Sequence, residues 1–276
     1  MSRVTERYLQ KAAHALRCLR RRRPLIHELT NFVSMNDCAN ITLAVGAKPV
    51  MARALPEVAE TAAAADSLLL NLGTLQESTV QSMHAAAAAA VRKGIPVVLD
   101  PVGAGGTAWR TETALALVRT YPFAAIRGNM SEIISLAEGK WGINAGVDNG
   151  SDRIMTASLA KKLSMTLHTV IAVTGKVDTI SDGDRVVQVY NGNPLLPYIT
   201  GTGCMTTALI ASYAAVADPF TAALSGVLTM GIAGEIAGQN CGTAGPGTLR
   251  SVLADEIYNL TEERIYAYGK VVIINE

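Results

Sequence analysis

Short apolar runs rich in β-branched residues alternate along this chain with longer stretches in which apolar side chains recur every three or four positions. The short runs at 48–51, 67–72, 96–100, 124–127, 170–174, 177–181 and 186–190 predict strands. The longer stretches at 5–22, 76–92, 111–120, 130–138, 152–164, 203–217, 220–240 and 247–258 predict helices. Alternation of this kind implies a mostly parallel central sheet with helices on both faces, an α/β class fold in three layers, α/β/α. The uninterrupted apolar run at 68–70 fits a strand covered on both faces.

Two features depart from simple alternation. The strands at 177–181 and 186–190 flank Asp182-Gly183-Asp184, which predicts a hairpin. The last third of the chain is almost entirely helical, and residues 260–276 have no clear assignment beyond an apolar run at 271–274 that suits an extra strand or a contact with a partner. The alanine run at 85–90 suits a tightly packed helix. No long polar linker, shift in composition or internal repeat divides the chain, so residues 1–276 are expected to form one domain.

Composition narrows the function. The chain is 49% hydrophobic and 17% charged, with a net charge of +1 and only 5% aromatic residues. That balance argues against nucleic acid or an anionic membrane as the main partner. Arg20 to Arg23 form one basic run, which suits either a localisation signal or the end of a helix. The second is favoured, because cations complement the helix C-terminus and Pro24 follows as a stop. Cys18, Cys38, Cys204 and Cys241 show no CxxC spacing and are too few for a disulfide scaffold. No signal-peptide stretch is evident, and no apolar run reaches the roughly 18 residues of a membrane span; 222–238 comes nearest but contains Glu235. A cytoplasmic protein with reduced thiols is expected.

In open α/β sheets, ligands gather at the carboxyl ends of the strands, so the loops there are where chemistry is sought. Asp100-Pro101-Val102-Gly103 follows a strand and offers one carboxylate suited to hydrated Mg²⁺, although, taken alone, a simple strand-ending Asp-Pro turn is the better reading. Asn129 and Glu132 have capping-box spacing; Glu132 also suits a place near a metal, and Arg127 suits phosphate. Thr174-Gly175 joins two strands and offers a hydroxyl, or is an ordinary turn. Gly201-Thr202-Gly203-Cys204 opens a helix, where free N–H groups and the helix dipole make an anion hole for a phosphoryl group. Cys204 stands in that first turn, a setting that tends to lower a thiol's pKa; a Gly-rich cap followed by a buried Cys accounts for this loop about equally well. No Walker A loop and no dinucleotide fingerprint is present.

Taken in order, these loops resemble the ribokinase-like superfamily and, in detail, the hydroxyethylthiazole kinases of thiamine salvage. The matching segments are 24–31, 46–51, 71–75, the Asp100 loop, 125–129 with Glu132, Thr174-Gly175, 201–204 and Gly245-Pro246-Gly247. The resemblance implies a kinase that moves the γ-phosphoryl group of ATP to the primary alcohol of a hydroxyethylthiazole. It places Met51, Gly201 and Asn31 at the thiazole, Arg127 and Thr174 at ATP, and Asp100 and Glu132 at Mg²⁺. Cys204 falls at the catalytic position, where most ribokinase-like enzymes carry Asp. A homotrimer with active sites between subunits is likewise implied. The rivals are a relative acting on hydroxymethylpyrimidine, an ATP-dependent NAD(P)H-hydrate dehydratase, against which Cys204 counts, and a small-ligand sensor, against which the Asp100–Glu132 pair counts.

Overall fold

The computed structural model describes residues 3–142 and 153–275. Strands β1 (Leu25–Leu29), β2 (Lys48–Val50), β3 (Ser67–Asn71), β4 (Val97–Asp100), β5 (Ala125–Asn129), β6 (Val170–Thr174), β7 (Asp178–Ser181), β8 (Val186–Val189) and β9 (Val271–Asn275) form one sheet in the order β2-β1-β3-β4-β5-β6-β7-β8-β9. Pairing is parallel from β2 to β6 and antiparallel from β6 to β9. The expected hairpin is β7–β8. Its turn is closed by Asp182, whose Oδ1 accepts from the backbone N–H groups of Asp184 and Arg185.

Helices α3 (Leu55–Ala64), α4 (Glu77–Lys93), α5 (Ala108–Thr120), α6 (Met130–Glu138) and α7 (Arg153–Leu167) cover one face. The other carries α1 (Arg3–Arg22), α2 (Met35–Val45), α8 (Thr202–Ala214), α9 (Pro219–Asn240), α10 (Pro246–Tyr258) and α11 (Glu262–Tyr268). Successive strand residues feed opposite cores, as a two-residue period demands. Leu68, Leu70, Val97 and Leu99 pack with α3–α7, while Leu69 and Val98 pack with α8 and α9. The predicted helix start at Asp152 lies outside the described residues.

The structure adds elements that apolar periodicity hides. Strand β1 carries His27 and Glu28 at fully buried positions, so its sequence lacks the apolar run of a central strand. Each polar side chain has one tertiary partner, His27 Nε2 donating to the Ala52 carbonyl at 2.7 Å and Thr42 Oγ1 donating to Glu28 Oε1 at 2.6 Å, while His27 Nδ1 and Glu28 Oε2 are buried without one. Helices α2 and α3 are short and rich in small or polar residues. The segment after 260 becomes α11 and β9, with β9 antiparallel to β8 at the sheet edge.

The basic run closes α1 as expected, and Arg20 does more. Its guanidinium donates to the carbonyls of Ile257, Tyr258 and Leu260, where α10 runs out of intrahelical partners. Helix α9 corrects an expectation. Its 22 residues are long and apolar enough to cross a membrane, yet nearly all of them are buried among α1, α8 and α10. A Cβ on Gly226 would sit 2.7 Å from the backbone N of Ile210 in α8, so only glycine permits this approach. Glu235, near the helix end, is paired with Lys270 at 2.9 Å.

Candidate active site

The carboxyl ends of β1, β3, β4, β5 and β6 meet the N-terminus of α8 at one place. Asp100 is the last residue of β4 and is fully buried. Its Oδ2 accepts from Asn71 Nδ2 at 2.9 Å and from Thr207 Oγ1 at 2.8 Å. Its Oδ1 has no hydrogen-bond partner and faces the Arg127 guanidinium at 3.7 Å. Burial raises the Asp100 carboxyl to about 6, the charge of nearby Glu132 adding to the rise, against the pull of Arg127 and the two hydrogen bonds.

Arg127 projects from β5 over the first turn of α8. A Cβ on Gly203 would collide with its guanidinium. The guanidinium also donates to Thr174 Oγ1 at the end of β6, so the two residues assigned to the nucleotide are in contact. The turn beyond Thr174 is held by Asp178, whose Oδ1 accepts from Gly175 N–H at 2.9 Å.

Gly201 caps α8 with φ of +88°, a conformation that glycine adopts without strain. Cys204 lies in the first turn and is 9% exposed. Asn31, in the loop after β1, donates from Nδ2 to Cys204 Sγ at 3.2 Å and to Asn71 Oδ1 at 3.0 Å. Its Oδ1 accepts from the N–H groups of Val33 and Ser34, which fixes the carboxamide. The expectation of a lowered thiol pKa is corrected. Burial and the charge of Asp100 hold the Cys204 thiol above its ordinary value, outweighing the hydrogen bond from Asn31. At a buried helix end, desolvation exceeds the dipole's pull.

Glu132 forms the complete capping box with Asn129. Glu132 Oε2 accepts from Asn129 N–H at 2.8 Å, and Asn129 Oδ1 accepts from Glu132 N–H at 2.9 Å. Glu132 Oε1 accepts from Gly103 N–H at 2.9 Å, so the same carboxylate ties the Asp100 loop to α6. Met51 follows β2 and is half-buried against the α8 side of the core. Its loop is pinned by the His27–Ala52 hydrogen bond and by Ser82 Oγ donating to the Arg53 carbonyl. Met51 packs against the same core as Cys204 but takes no part in the hydrogen bonds around Asp100.

Asn71 and Thr207 were not singled out by sequence reasoning, although both touch Asp100. The available signal for Asn71 was a polar residue ending the apolar run 68–70, and for Thr207 a hydroxyl one helical turn beyond Cys204.

The residues fit a divalent cation of the kind that keeps most of its waters. No group of three or more His, Cys, Asp or Glu side chains gathers among the described residues, which leaves no all-protein cage. What is present is a buried carboxylate oxygen with no donor, beside an arginine and a helix N-terminus. Mg²⁺ asks the protein for one or two carboxylates and takes phosphate oxygens and water for the rest. Oδ1 of Asp100 is the open acceptor, while both oxygens of Glu132 already accept backbone N–H groups.

A carboxylate, a guanidinium and a helix N-terminus around one thiol suit phosphoryl transfer to an alcohol, and relatives of the chain agree. A hydroxyethylthiazole kinase from Thermoanaerobacter pseudethanolicus is 46% identical over 257 residues, covering 93% of this chain and 97% of that protein. The structure of a hydroxyethylthiazole kinase protein from Pyrococcus horikoshii superposes with a TM-score of 0.88 at 39% identity, covering 96% of this chain and 100% of that one. A ribokinase-like superfamily protein from Enterococcus faecalis, 14% identical, shares the fold with a TM-score of 0.63 over 86% of this chain and 87% of its own. The family model for hydroxyethylthiazole kinases matches residues 16–263, nearly the whole described fold and every residue of the site, and the chain belongs to that family.

Proposed function

We propose that this chain, as one kinase domain over residues 1–276, phosphorylates the primary alcohol of 4-methyl-5-(2-hydroxyethyl)thiazole with ATP. The product is the thiazole phosphate used in thiamine biosynthesis and salvage. The observation that carries the reading is the convergence on one point of Asp100 Oδ1, the Arg127 guanidinium and the Gly201–Cys204 helix start.

Phosphoryl transfer needs alignment and charge neutralisation more than covalent chemistry. Bound Mg²⁺ supplies neutralisation of phosphate charge, and Asp100 would hold it, with Glu132 steadying the loop beside it. Arg127, released from Asp100, turns its guanidinium to the nucleotide, with the Thr174 hydroxyl as the neighbouring contact. Backbone N–H groups of Gly201 to Cys204 receive the charge that builds on the transferring group. Asn31 fixes Cys204, and the thiol orients the acceptor hydroxyl. A thiol held above its ordinary pKa by burial is a poor proton acceptor in the free enzyme, and a loose transition state needs little early deprotonation. Met51 and Gly201 line the thiazole side.

A cytoplasmic homotrimer is the assembly we propose, with sites completed between subunits and neither nucleic acid nor membrane as a partner. Support comes from apolar side chains left open beside the site: Phe32 is 59% exposed, Val33 61% and Tyr198 74%. Sedimentation equilibrium tests the trimer. The reaction is tested by ADP release with ATP and Mg²⁺ in the presence of hydroxyethylthiazole, hydroxymethylpyrimidine or no acceptor, with mass spectrometry of the product. Thiazole-dependent ADP release with a phosphorylated thiazole is expected; folded, ATP-binding protein that forms no thiazole phosphate overturns the reading.

A further inference from the structure

Five side chains at the site form a ring that the backbone of α8 closes. Asn31 Nδ2 donates to Cys204 Sγ and to Asn71 Oδ1, and Asn71 Nδ2 donates to Asp100 Oδ2. Thr207 Oγ1 donates to the same Oδ2, and Thr207 stands one turn beyond Cys204 on α8. All five residues are buried. The Asn71 carboxamide oxygen accepts twice, because Oδ1 also takes the Gly73 N–H at 2.9 Å. Register places Asn71 directly opposite Asp100 on neighbouring parallel strands.

The ring divides the carboxylate. Oδ2 holds two donors and Oδ1 holds none. Turning the carboxylate would break both hydrogen bonds: Asn71 Nδ2 would lose its acceptor, which costs more than the hydrogen bond is worth, while the Thr207 hydroxyl would fall back on the Gly203 carbonyl at 3.1 Å. The same ring reaches α8 at two points, Cys204 and Thr207, and so sets the offset between acid and thiol.

We propose that Asn71 and Thr207 are positioning residues for phosphoryl transfer: together they aim Oδ1 of Asp100 at the phosphate site and hold Cys204 at a fixed offset from it. This rests on the kinase reading above. Neither residue touches a reacting atom. Both arms act on one carboxylate, so removing either disorders it and removing the second adds little.

The test is a double-mutant cycle with Asn71→Leu, Thr207→Val and the pair, accompanied by Thr207→Ser and by Asn71→Ser, which loses the carboxamide without adding bulk. Steady-state kinetics are joined by the rate at which iodoacetamide alkylates Cys204 in ligand-free protein, read by peptide mass spectrometry. Asn71→Leu, Asn71→Ser and Thr207→Val are each expected to lower kcat at least ~10-fold with KM for ATP within ~3-fold, the double variant falling no more than ~3-fold below the weaker single. Thr207→Ser keeps the hydroxyl and stays within ~3-fold of the parent, and Cys204 alkylation in both Asn71 variants changes by at least ~3-fold. Unchanged kcat, losses that multiply in the double variant, or failure of serine to restore the rate would overturn the proposal. The alkylation arm uses no substrate, and the parent's thiazole turnover is scored separately, so failure of the ring is distinguishable from failure of the kinase reading.

Discussion

The guanidinium of Arg127 occupies the space beside Gly203 that any side chain there would need. The contact brings a β5 cation onto the exposed amides of α8, where phosphate is expected to bind. In the free protein Arg127 therefore shields the helix N-terminus and partly neutralises Asp100. Substituting Gly203→Ala pushes the flexible guanidinium aside without touching the backbone packing. The melting temperature should stay within a few degrees, while KM for ATP rises about 10-fold. Thermal melts and nucleotide titration check both signs; unchanged ATP affinity removes the contact from nucleotide binding.

Cys204 offers a sharper choice. If the thiol only orients the alcohol, Cys204→Ser keeps turnover within about 10-fold, because serine also donates and accepts at that point. A fall of ~10²–10⁴ in kcat with substrate affinity intact would identify the thiol as the general base instead. The raised thiol pKa favours the first outcome.

Asp100→Asn tests the division of its two oxygens. The donors from Asn71 and Thr207 demand an acceptor at Oδ2, so the amide oxygen takes that place and the NH₂ group faces Arg127. The fold is retained, but the acceptor toward the nucleotide is replaced by a donor. Turnover should fall by ~10²–10³, the scale of losing one charge-stabilising group. Circular dichroism and steady-state kinetics at varied Mg²⁺ provide the check, and unchanged kinetics would take Asp100 out of the site.

Glu28 has no part in the chemistry but sets a pH dependence. Burial raises its carboxyl from 4.5 to about 7, against the Thr42 hydrogen bond. The folded value lies above the unfolded one, so ionisation favours unfolding. No penalty exists below about pH 4.5; it grows as pH rises toward 7 and is complete above that. Its full size is on the order of 3 kcal/mol. Glu28→Gln should therefore stabilise the protein at pH 8 by up to that amount and give much less at pH 5. Urea unfolding of both proteins at the two pH values checks it, and a gain equal at both would refute the buried-acid account.

The sequence pattern carried most of the sheet, because fully buried parallel strands such as β3 and β4 are continuous apolar runs. It carried the hairpin, the capping box of Asn129 and Glu132, and the glycine-led start of α8, since each depends on residues close in the chain. It did not carry β1, where His27 and Glu28 break the apolar signal and only tertiary partners make them tolerable. Arg127 and Thr174 were named separately, but their contact needs the β5–β6 register. The Asn31–Asn71–Asp100 chain spans 69 positions of sequence through side chains alone. No local pattern marks such a network. The direction of the Cys204 pKa shift was misjudged for a related reason: the helix dipole is visible in sequence, and the depth of burial is not.

Helix α9 fixes the order in which the protein can be completed as it leaves the ribosome. The α3–α7 side of the sheet needs only residues from the first two thirds of the chain. The opposite core waits for α8 and then for α9, whose apolar flanks close against α1 from the far end of the sequence. Until α8 has emerged, the sheet face bearing Leu69 and Val98 lacks its main helix, and the part bearing Ala172 waits longer, for α9. Half-synthesised chains therefore expose an apolar sheet face while the Asp100–Cys204 arrangement does not yet exist, the interval that a late, largely apolar helix imposes on folding during synthesis.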